Sequence, residues 1–338
     1  MKNFKWIIVV SLFVTFNFIL LGLVNYVVDP FKVFGSNILP YQVQMNERFV
    51  KVEFLKKNHQ NFNAYIFGSS RVGVVEPSII EQYIPDSKFY NFTLSSATLD
   101  DYEKHLSYFI KEQYMVNTLY LQLDIDNMQV YGKPSSDYLS KLHPDVVNES
   151  PTLYYLKYLV GFFPLNLREK IEGSINDKKN KEYSLEKGTW YLVNSEKRIE
   201  ENRTKYLASV SGFNFKNPRN IAYTKQKENM KALQKIVDLC KENAIKLYLF
   251  TSAHNQNMMD TFILKDYNNY LRNISEISDF YDFSGYNSVT TNNFNYYEVS
   301  HYRPHVARLM AARIFNNQKV SVPNDFGKFI EKGSLLGL

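Results

Sequence analysis

The chain has 338 residues, of which 45% are hydrophobic. This is enough apolar material for one full core, or for one core with a large insertion, and it excludes a disordered chain. The 40 Lys and Arg residues exceed the 34 Asp and Glu residues by 6. The excess is spread along the chain without a basic run that could follow a nucleic-acid backbone, so we expect no nucleic-acid partner.

The N-terminal sequence MKNFKWIIVVSLFVTFNFILLGLVNYVVDP predicts a membrane anchor at residues 1–30. Lys2 and Lys5 precede a predominantly apolar stretch from Trp6 to Val28. At about 1.5 Å per residue, a helix of this length crosses a hydrocarbon core of about 30 Å. A cleaved signal peptide is the alternative, but its apolar region is typically about 7–15 residues long and ends in small residues. The segment LVNYVVDPF is bulky, which favours a retained anchor.

The positive end of the anchor sets the expected topology. Basic residues stay on the cytoplasmic side of a membrane helix, so we expect a single-pass protein of the inner or cytoplasmic membrane with its N-terminus inside. Residues 31–338 are then one extracytoplasmic domain, either periplasmic or extracellular. The chain has one cysteine, Cys240, so no internal disulfide forms. Cys240 continues an apolar series with helical spacing, and we interpret it as a buried hydrophobic residue.

Short apolar runs alternate with helical patterns after the anchor. The predicted strands are Ala64–Phe67, KFYNFTLSS, Thr118–Leu123, IKLYLFTSAHN and FYDFSG, and the predicted helices are 77–83, 98–110, 222–243 and RPHVARLMAARIF. Thr98 and Asp101 predict a capping box at the second of these helices. Strands separated by helices predict an α/β fold, a parallel-sheet three-layer sandwich in which ligands bind beyond the carboxyl ends of the strands.

Residues 128–220 interrupt this alternation. The segment is rich in Tyr, Lys, Asn and Glu, and its longest apolar run, PTLYYLKYLVGFFPLNL, is too short and too broken by proline to span a membrane. We expect an insertion over the sheet, which is either a lid or an addition without a role.

The sequence FGSSRVG, residues 67–73, places two serines after the first predicted strand. A serine hydroxyl is a weak nucleophile unless a base accepts its proton and a third group orients that base. Near the C-terminus, YYEVSHYRPH offers Glu298 and His301, three positions apart. This spacing lets the carboxylate reach Nδ1 of the imidazole and leaves Nε2 for the serine. Asp282 is an alternative orienting carboxylate.

With these motifs the chain resembles the SGNH/GDSL hydrolase-like superfamily. It is most similar to the membrane-anchored branch that includes alginate O-acetylation proteins and the D-alanyl transfer protein of teichoic acids. The resemblance covers about residues 64–315 apart from the insertion, and it implies an SGNH/flavodoxin-like sheet. The family block Gly-Asp-Ser or Gly-Ser-Ser implies that Ser70 is the nucleophile and Ser69 the middle residue. The block Asp-x-x-His implies Glu298 and His301, with Glu in place of Asp, and the following His-Tyr-Arg-Pro run is similar to that branch.

Two positions depart from the family pattern, both at the expected oxyanion site. Ser96 stands where a glycine is expected, and Asp124 stands where an Asn side chain is expected. Ser96 still has a backbone N–H to donate, whereas an ionised Asp124 only accepts hydrogen bonds. Asp124 could orient a substrate hydroxyl, pair with Arg71 or cap its strand end. Arg71 could also meet an anionic substrate, and His254 either lines the pocket or is an ordinary loop residue.

The resemblance implies a membrane-anchored serine acyltransferase or esterase with a Ser-His-Glu triad, without a metal or another cofactor. The implied substrate is a cell-surface polysaccharide or similar envelope polymer, and the implied acyl group is acetyl. A multispanning membrane O-acyltransferase is the implied partner. The altered oxyanion positions motivate an alternative, a non-catalytic polysaccharide-binding or scaffold module, and a deacetylating esterase is a third hypothesis.

Overall fold

The computed structural model describes residues 2–42, 44–129, 132, 137–176, 182–214 and 222–335. The strands among these residues are β1 Ala64–Gly68, β2 Phe89–Thr93, β3 Thr118–Leu123, β4 Glu182–Ser184, β5 Thr189–Tyr191, β6 Lys246–Thr251, β7 Phe280–Asp282 and β8 Lys328–Ile330. The α-helices are α1 Lys2–Val28, α2 Glu47–Asn58, α3 Pro77–Glu81, α4 Leu99–Lys111, α5 Pro144–Val147, α6 Pro151–Val160, α7 Pro164–Ile175, α8 Val193–Glu201, α9 Arg203–Ser209, α10 Gln226–Glu242, α11 Gln256–Met259, α12 Leu264–Ile277 and α13 Pro304–Ile314.

Six strands form one sheet in the order β2-β1-β3-β6-β7-β8. The first five of these are parallel, and β8 is antiparallel to β7. Counted within this sheet alone, the parallel strands have the order 2-1-3-4-5, a doubly wound order whose switch point lies between β1 and β3. The predicted α/β fold with a parallel sheet is confirmed at this level. β8 was not predicted.

Local sequence explains several of these elements. Every residue of β1, β2 and β3 is buried, as expected for parallel strands covered on both faces. Pro77 and Pro304 occupy the first turns of α3 and α13, where a missing N–H costs nothing. The predicted capping box of Thr98 and Asp101 is present at the start of α4. Cys240 is buried, as predicted.

The chain divides into two compact units. One contains residues 1–53 and 134–179, and the other contains residues 54–133 and 180–338. The predicted insertion is therefore split between them. We call residues 137–176 the first inserted segment and residues 182–214 the second inserted segment.

The first unit contains α1, and its stretch Phe4–Val28 is long and apolar enough to cross a bilayer. The same length and composition fit a signal sequence. A separate apolar cluster of this unit joins the residues after α1 to α6 and consists of Phe31, Val33, Phe49, Tyr154, Tyr158 and Phe163. The second unit contains the six-stranded sheet and the larger core.

Candidate active site

Ser70 lies in a tight turn directly after β1. The turn continues as a 3-10 helix from Ser70 to Val74. A side-chain carbon at Gly73 would lie 1.8 Å from Nε1 of Trp190, so only glycine fits there. The motif FGSSRVG thus needs its last glycine for close packing.

Side chains of the neighbouring strand β2 fix this turn. Asn91 Nδ2 donates to the carbonyl oxygens of Val72 and Val75 at 2.6 and 2.9 Å. Thr93 Oγ1 donates to the carbonyl oxygen of Ser69 at 2.6 Å. These bonds satisfy backbone groups that a buried turn would otherwise leave unpaired, and they hold the backbone around Ser70 in one conformation.

The structure brings Ser70, His301 and Glu298 into one hydrogen-bonded chain. Ser70 Oγ lies 2.8 Å from His301 Nε2, although the two residues are 231 positions apart. His301 Nδ1 is hydrogen-bonded to Glu298 Oε1. An ionised carboxylate only accepts, so the Nδ1 proton lies toward Glu298 and Nε2 is left as the acceptor for the Ser70 hydroxyl. This is the arrangement that general-base activation of a serine requires.

The loop between Asn295 and α13 holds His301 in place. Tyr296 and Tyr302 form an antiparallel bridge, and the N–H of Tyr297 donates to the carbonyl oxygen of His301 at 2.9 Å. The Tyr302 hydroxyl donates to Gln122 Oε1 on β3 at 2.7 Å. The imidazole is therefore tied to the sheet through its chain neighbour.

Glu298 is oriented at both carboxylate oxygens. Oε2 accepts the backbone N–H of Ser300 at 2.8 Å, while Oε1 meets His301. Burial alone raises the pKa of Glu298, but the hydrogen bond and charge of His301 outweigh it and hold that pKa below its usual range. Glu298 is therefore ionised at neutral pH and stabilises a proton on the imidazole.

Arg71 lies beneath the site in a cluster with Asp124 and Asp126. Its guanidinium donates to both oxygens of Asp126 at 3.1 and 3.0 Å, and it lies 3.1 Å from Asp124 Oδ1. It also donates to the carbonyl oxygen and the hydroxyl of Ser300 at 2.9 and 2.8 Å. The Arg71 side chain is only 4% exposed, so of the two predicted alternatives the structure has the pairing with Asp124 and does not expose the guanidinium to a substrate. Arg71 positions the residue next to His301.

Opposite charges dominate this cluster. Burial lowers the pKa of Arg71, but Asp126 and Asp124 outweigh that effect and raise the pKa further above its ordinary value. Burial raises the pKa of Asp126, but the charge of Arg71 and the hydrogen bond from His254 outweigh it and hold that pKa well below its usual range. Such a pair is costly to break, because removing one partner leaves a buried uncompensated charge.

Asp124, Asp126 and His254 lie close enough to one another to offer ligand atoms to a metal ion. The guanidinium of Arg71 already contacts both carboxylates. It supplies the positive charge that a cation would otherwise supply there. We therefore assign this group to the support of the active site.

The remaining predicted residues have distinct places. The His254 side chain is buried, with Nε2 3.4 Å from Asp126 Oδ1, so it supports Asp126 and does not line an open pocket. Asp282 accepts from Thr251 Oγ1 at 2.7 Å, and Glu298, not Asp282, contacts the imidazole. Ser96 is exposed after β2 and has a φ of 50°. This is the left-handed conformation that favours glycine, the residue that the resemblance implies at this position.

The second inserted segment supports the loop of residues 296–303, which carries Glu298 and His301 and which we call the catalytic loop because it belongs to the candidate site. Trp190 on β5 is buried, and its ring lies edge-on to the His301 ring at 5.5 Å. The Tyr206 hydroxyl of α9 donates to the carbonyl oxygen of Tyr297 at 2.7 Å. This part of the predicted insertion packs directly against the residues around His301.

A carboxylate of α8 completes this support. Glu196 Oε1 accepts the Tyr297 hydroxyl at 2.6 Å, and Glu196 Oε2 accepts from Arg303 Nη2 at 2.7 Å. The catalytic loop is thus bonded on both sides of Glu298 and His301.

The sequence analysis did not identify several residues that support the candidate site. Asp126 follows Asp124 by two positions at the end of β3, so the motif LDID could have indicated a pair of carboxylates. Trp190 and Glu196 gave no local indication, because their contacts with the catalytic loop span more than a hundred positions.

Comparison of the chain with protein-family models and with curated proteins gives no match. The resemblance to the SGNH/GDSL superfamily therefore stays a prediction.

Proposed function

We propose that the protein is a membrane-anchored extracytoplasmic serine acyltransferase or esterase of the SGNH type. The observation that carries this proposal is the chain of contacts from Ser70 Oγ to His301 Nε2 and from His301 Nδ1 to Glu298. His301 and Glu298 are both partly exposed, so a substrate has access to the catalytic groups.

The reaction follows from these contacts. As Ser70 Oγ attacks the acyl carbonyl carbon, its proton passes to His301 Nε2, and Glu298 stabilises the resulting imidazolium. The tetrahedral intermediate collapses, its leaving group takes the proton from His301, and an acyl-Ser70 ester remains. A sugar hydroxyl or water then gives its proton to His301 and attacks this ester. Ser70 recovers its proton, and the acyl group is on the acceptor.

The developing oxyanion needs hydrogen-bond donors, each often contributing about 3 kcal/mol. We assign this role to the backbone N–H groups of Ser70 and Ser96. Ser70 begins a 3-10 turn, where the first N–H groups have no acceptor within the helix. Asp124 does not contribute, because it is an acceptor held 3.1 Å from Arg71.

The apolar helix α1 and the family resemblance support a location in the inner or cytoplasmic membrane, with the catalytic unit in the periplasm or outside the cell. A tether raises the local concentration of a membrane-borne acyl donor and a growing polymer. We therefore propose O-acetylation of a cell-surface polysaccharide or another envelope polymer, with a multispanning membrane O-acyltransferase as the source of the acyl group.

One observation favours a second candidate function. Asp124 cannot donate to an oxyanion, so the site has one donor fewer than the family pattern implies. A non-catalytic module that binds envelope polysaccharide is the alternative that fits this loss.

Labelling with a fluorophosphonate, which reacts with activated serines, distinguishes the serine enzyme from the non-catalytic binding module. With the full chain in detergent micelles, we expect labelling of the wild type, retention in Ser69→Ala and loss in Ser70→Ala. Ser69 is the matched control because it is the adjacent serine, and its hydroxyl accepts a long 3.4 Å bond from the Arg71 N–H. Labelling that persists in Ser70→Ala contradicts the catalytic proposal, and a folded wild type that never labels supports the binding module.

A second measurement separates transfer from hydrolysis. The protein is incubated with an activated acetyl ester and an envelope glycan, and acetyl on the glycan is measured. A gain of glycan acetyl supports a transferase. Loss of acetyl from a previously acetylated glycan supports the deacetylating esterase.

A further inference from the structure

The first inserted segment exposes large apolar side chains along one face. Leu153, Leu156 and Val160 of α6 are all exposed and follow one another at helical spacing. Tyr154 and Tyr158, on the opposite face of α6, are buried in the apolar cluster of this unit. The helix is therefore apolar on both faces, and the side chains of Leu153, Leu156 and Val160 stay largely exposed.

The exposure is greatest where α6 leads into α7. Phe162 and Leu165 are each 78% exposed. Isolated exposed apolar residues are common on soluble proteins, but a contiguous group of large ones marks a contact with a partner or a membrane. We call Leu153, Leu156, Val160, Phe162 and Leu165 the apolar face of the first inserted segment.

This face adjoins α1 within the same unit. α1 packs against both α6 and α7. The Asn25 side chain, which is fully buried, donates to the carbonyl oxygens of Leu159 and Gly161 at 2.7 and 2.8 Å. The end of α6 and the residues before Phe162 are thus bonded to the last turns of α1.

The aromatic residues of α1 give the depth of that contact. Trp6 and Tyr26 are exposed and 20 positions apart, which at about 1.5 Å per residue is about 30 Å, the thickness of a hydrocarbon core. Trp and Tyr concentrate at the two interfaces of a membrane. A side-chain carbon at Gly22 would lie 3.9 Å from the Leu159 carbonyl oxygen, and Gly22 is one helical turn deeper than Tyr26. The end of α6 therefore lies at or just below the interface.

We infer that the apolar face of the first inserted segment inserts into the lipid leaflet that surrounds the C-terminal end of α1. This inference rests on the membrane location in the proposed function. The occupant is lipid because α6 and α7 both pack against α1, whose exposed apolar side chains face lipid in a span, and the exposed Val160 and Phe162 are the chain neighbours of the Leu159 and Gly161 carbonyls that Asn25 binds. A membrane-inserted face gives the protein a second attachment beside its single span.

The test measures depth in the bilayer. The full chain is reconstituted in phosphatidylcholine and phosphatidylglycerol vesicles with a fluorescent thiol label at Phe162→Cys or Leu165→Cys, and quenching by nitroxide-bearing lipids is recorded. Val14→Cys, in the middle of α1, is the lipid control. Phe329→Cys, an exposed apolar residue on β8, is the aqueous control.

The native thiol does not interfere, because burial raises the pKa of Cys240 to about 12 and the thiolate is the reactive form. The unsubstituted protein serves as the blank.

We expect labels at positions 162 and 165 to be quenched at least half as strongly as the label at position 14, and the label at 329 to be quenched little. Quenching at 14 without quenching at 162 and 165 overturns this inference and leaves the proposed location intact. A water-soluble quencher is used as well. If it fails to reach the label at position 162 only when the protein-to-lipid ratio is high, a second copy of the chain covers this face and the inference is overturned. No quenching at 14 overturns the span itself, and with it this inference, while Ser70 labelling tests the chemistry separately.

Discussion

The first and second inserted segments come from one predicted insertion but differ in how far their most prominent apolar side chains are exposed. The first segment exposes Phe162 and Leu165. The second buries Trp190, Ile199 and Tyr206. The first segment is also the more apolar of the two in sequence, but both contain large aromatic and aliphatic residues, and the sequence does not tell which of these are buried.

The difference lies in the polar groups that accompany the apolar ones. In the second segment, Glu196 and the Tyr206 hydroxyl are bonded to partners in the catalytic loop. Directed polar contacts of the first segment lie on its buried side, where Asn46 Nδ2 donates to the Tyr154 and Tyr158 hydroxyls at 3.2 and 2.9 Å, and the exposed apolar side chains have no polar group that could add to them. Directed hydrogen bonds specify one protein partner, whereas an apolar face without them suits a fluid lipid partner.

Trp190→Ala, in the second inserted segment, should have the largest effect on stability and on Ser70 labelling. The change removes a buried indole that packs over Gly73 and His301, and such truncations cost about 3–5 kcal/mol. We expect the free energy of unfolding in detergent to fall by that amount and the labelling of Ser70 to slow at least about tenfold. Unchanged stability and labelling would show that the second segment is a passive cover.

Glu196→Gln has a smaller expected effect. It removes the charge that Arg303 binds and weakens the acceptor of the Tyr297 hydroxyl, so we expect a loss of about 1–2 kcal/mol in unfolding free energy. Tyr297→Phe, which leaves the ion pair in place, is the control with the lesser loss.

The effect of Glu196 depends on pH in a defined direction. Burial raises the pKa of Glu196, but Arg303 and Tyr297 outweigh it and hold that pKa below its usual range. The stabilisation is therefore complete above the pKa of the unfolded state, about 4.3, and is lost as pH falls through the lower folded pKa. Urea unfolding of wild type and Glu196→Gln should differ equally at pH 6 and 7 and converge below about pH 4. A difference that grows toward low pH would contradict this assignment.

Phe162→Ser, in the first inserted segment, should change the stability least of these variants. The side chain is exposed, so its removal should change the free energy of unfolding in detergent by no more than about 0.5 kcal/mol. Ser70 labelling should be unchanged. A loss comparable to that of Trp190→Ala would mean that Phe162 packs against protein and not lipid.

The fold was predictable where local patterns suffice. Apolar runs indicated the five parallel strands, and the capping box of Thr98 and Asp101 marked the start of α4. The strand β8 was missed because three residues, Lys328–Ile330, carry no periodicity and are ordered by pairing with β7.

The candidate site was predictable only in part. Ser70, His301 and Glu298 were identified from short motifs, and their proximity needed a family resemblance or a structure. The burial and the hydrogen bonds of Arg71 could not be predicted, because its partners Asp126 and Ser300 come from separate parts of the chain. Ser96 was predictable as a replacement for glycine but not as a residue that keeps the backbone conformation of glycine.

In the proposed mechanism Ser70 and His301 act as one catalytic unit. The direct measurement is kcat/KM for hydrolysis of p-nitrophenyl acetate by the wild type, Ser70→Ala, His301→Ala and the double variant. Residues that act together lose activity non-additively, so each single variant should lose at least about 100-fold and the double variant should lose no more than either. A wild type no faster than Ser70→Ala, or losses that multiply in the double variant, would contradict the proposed mechanism.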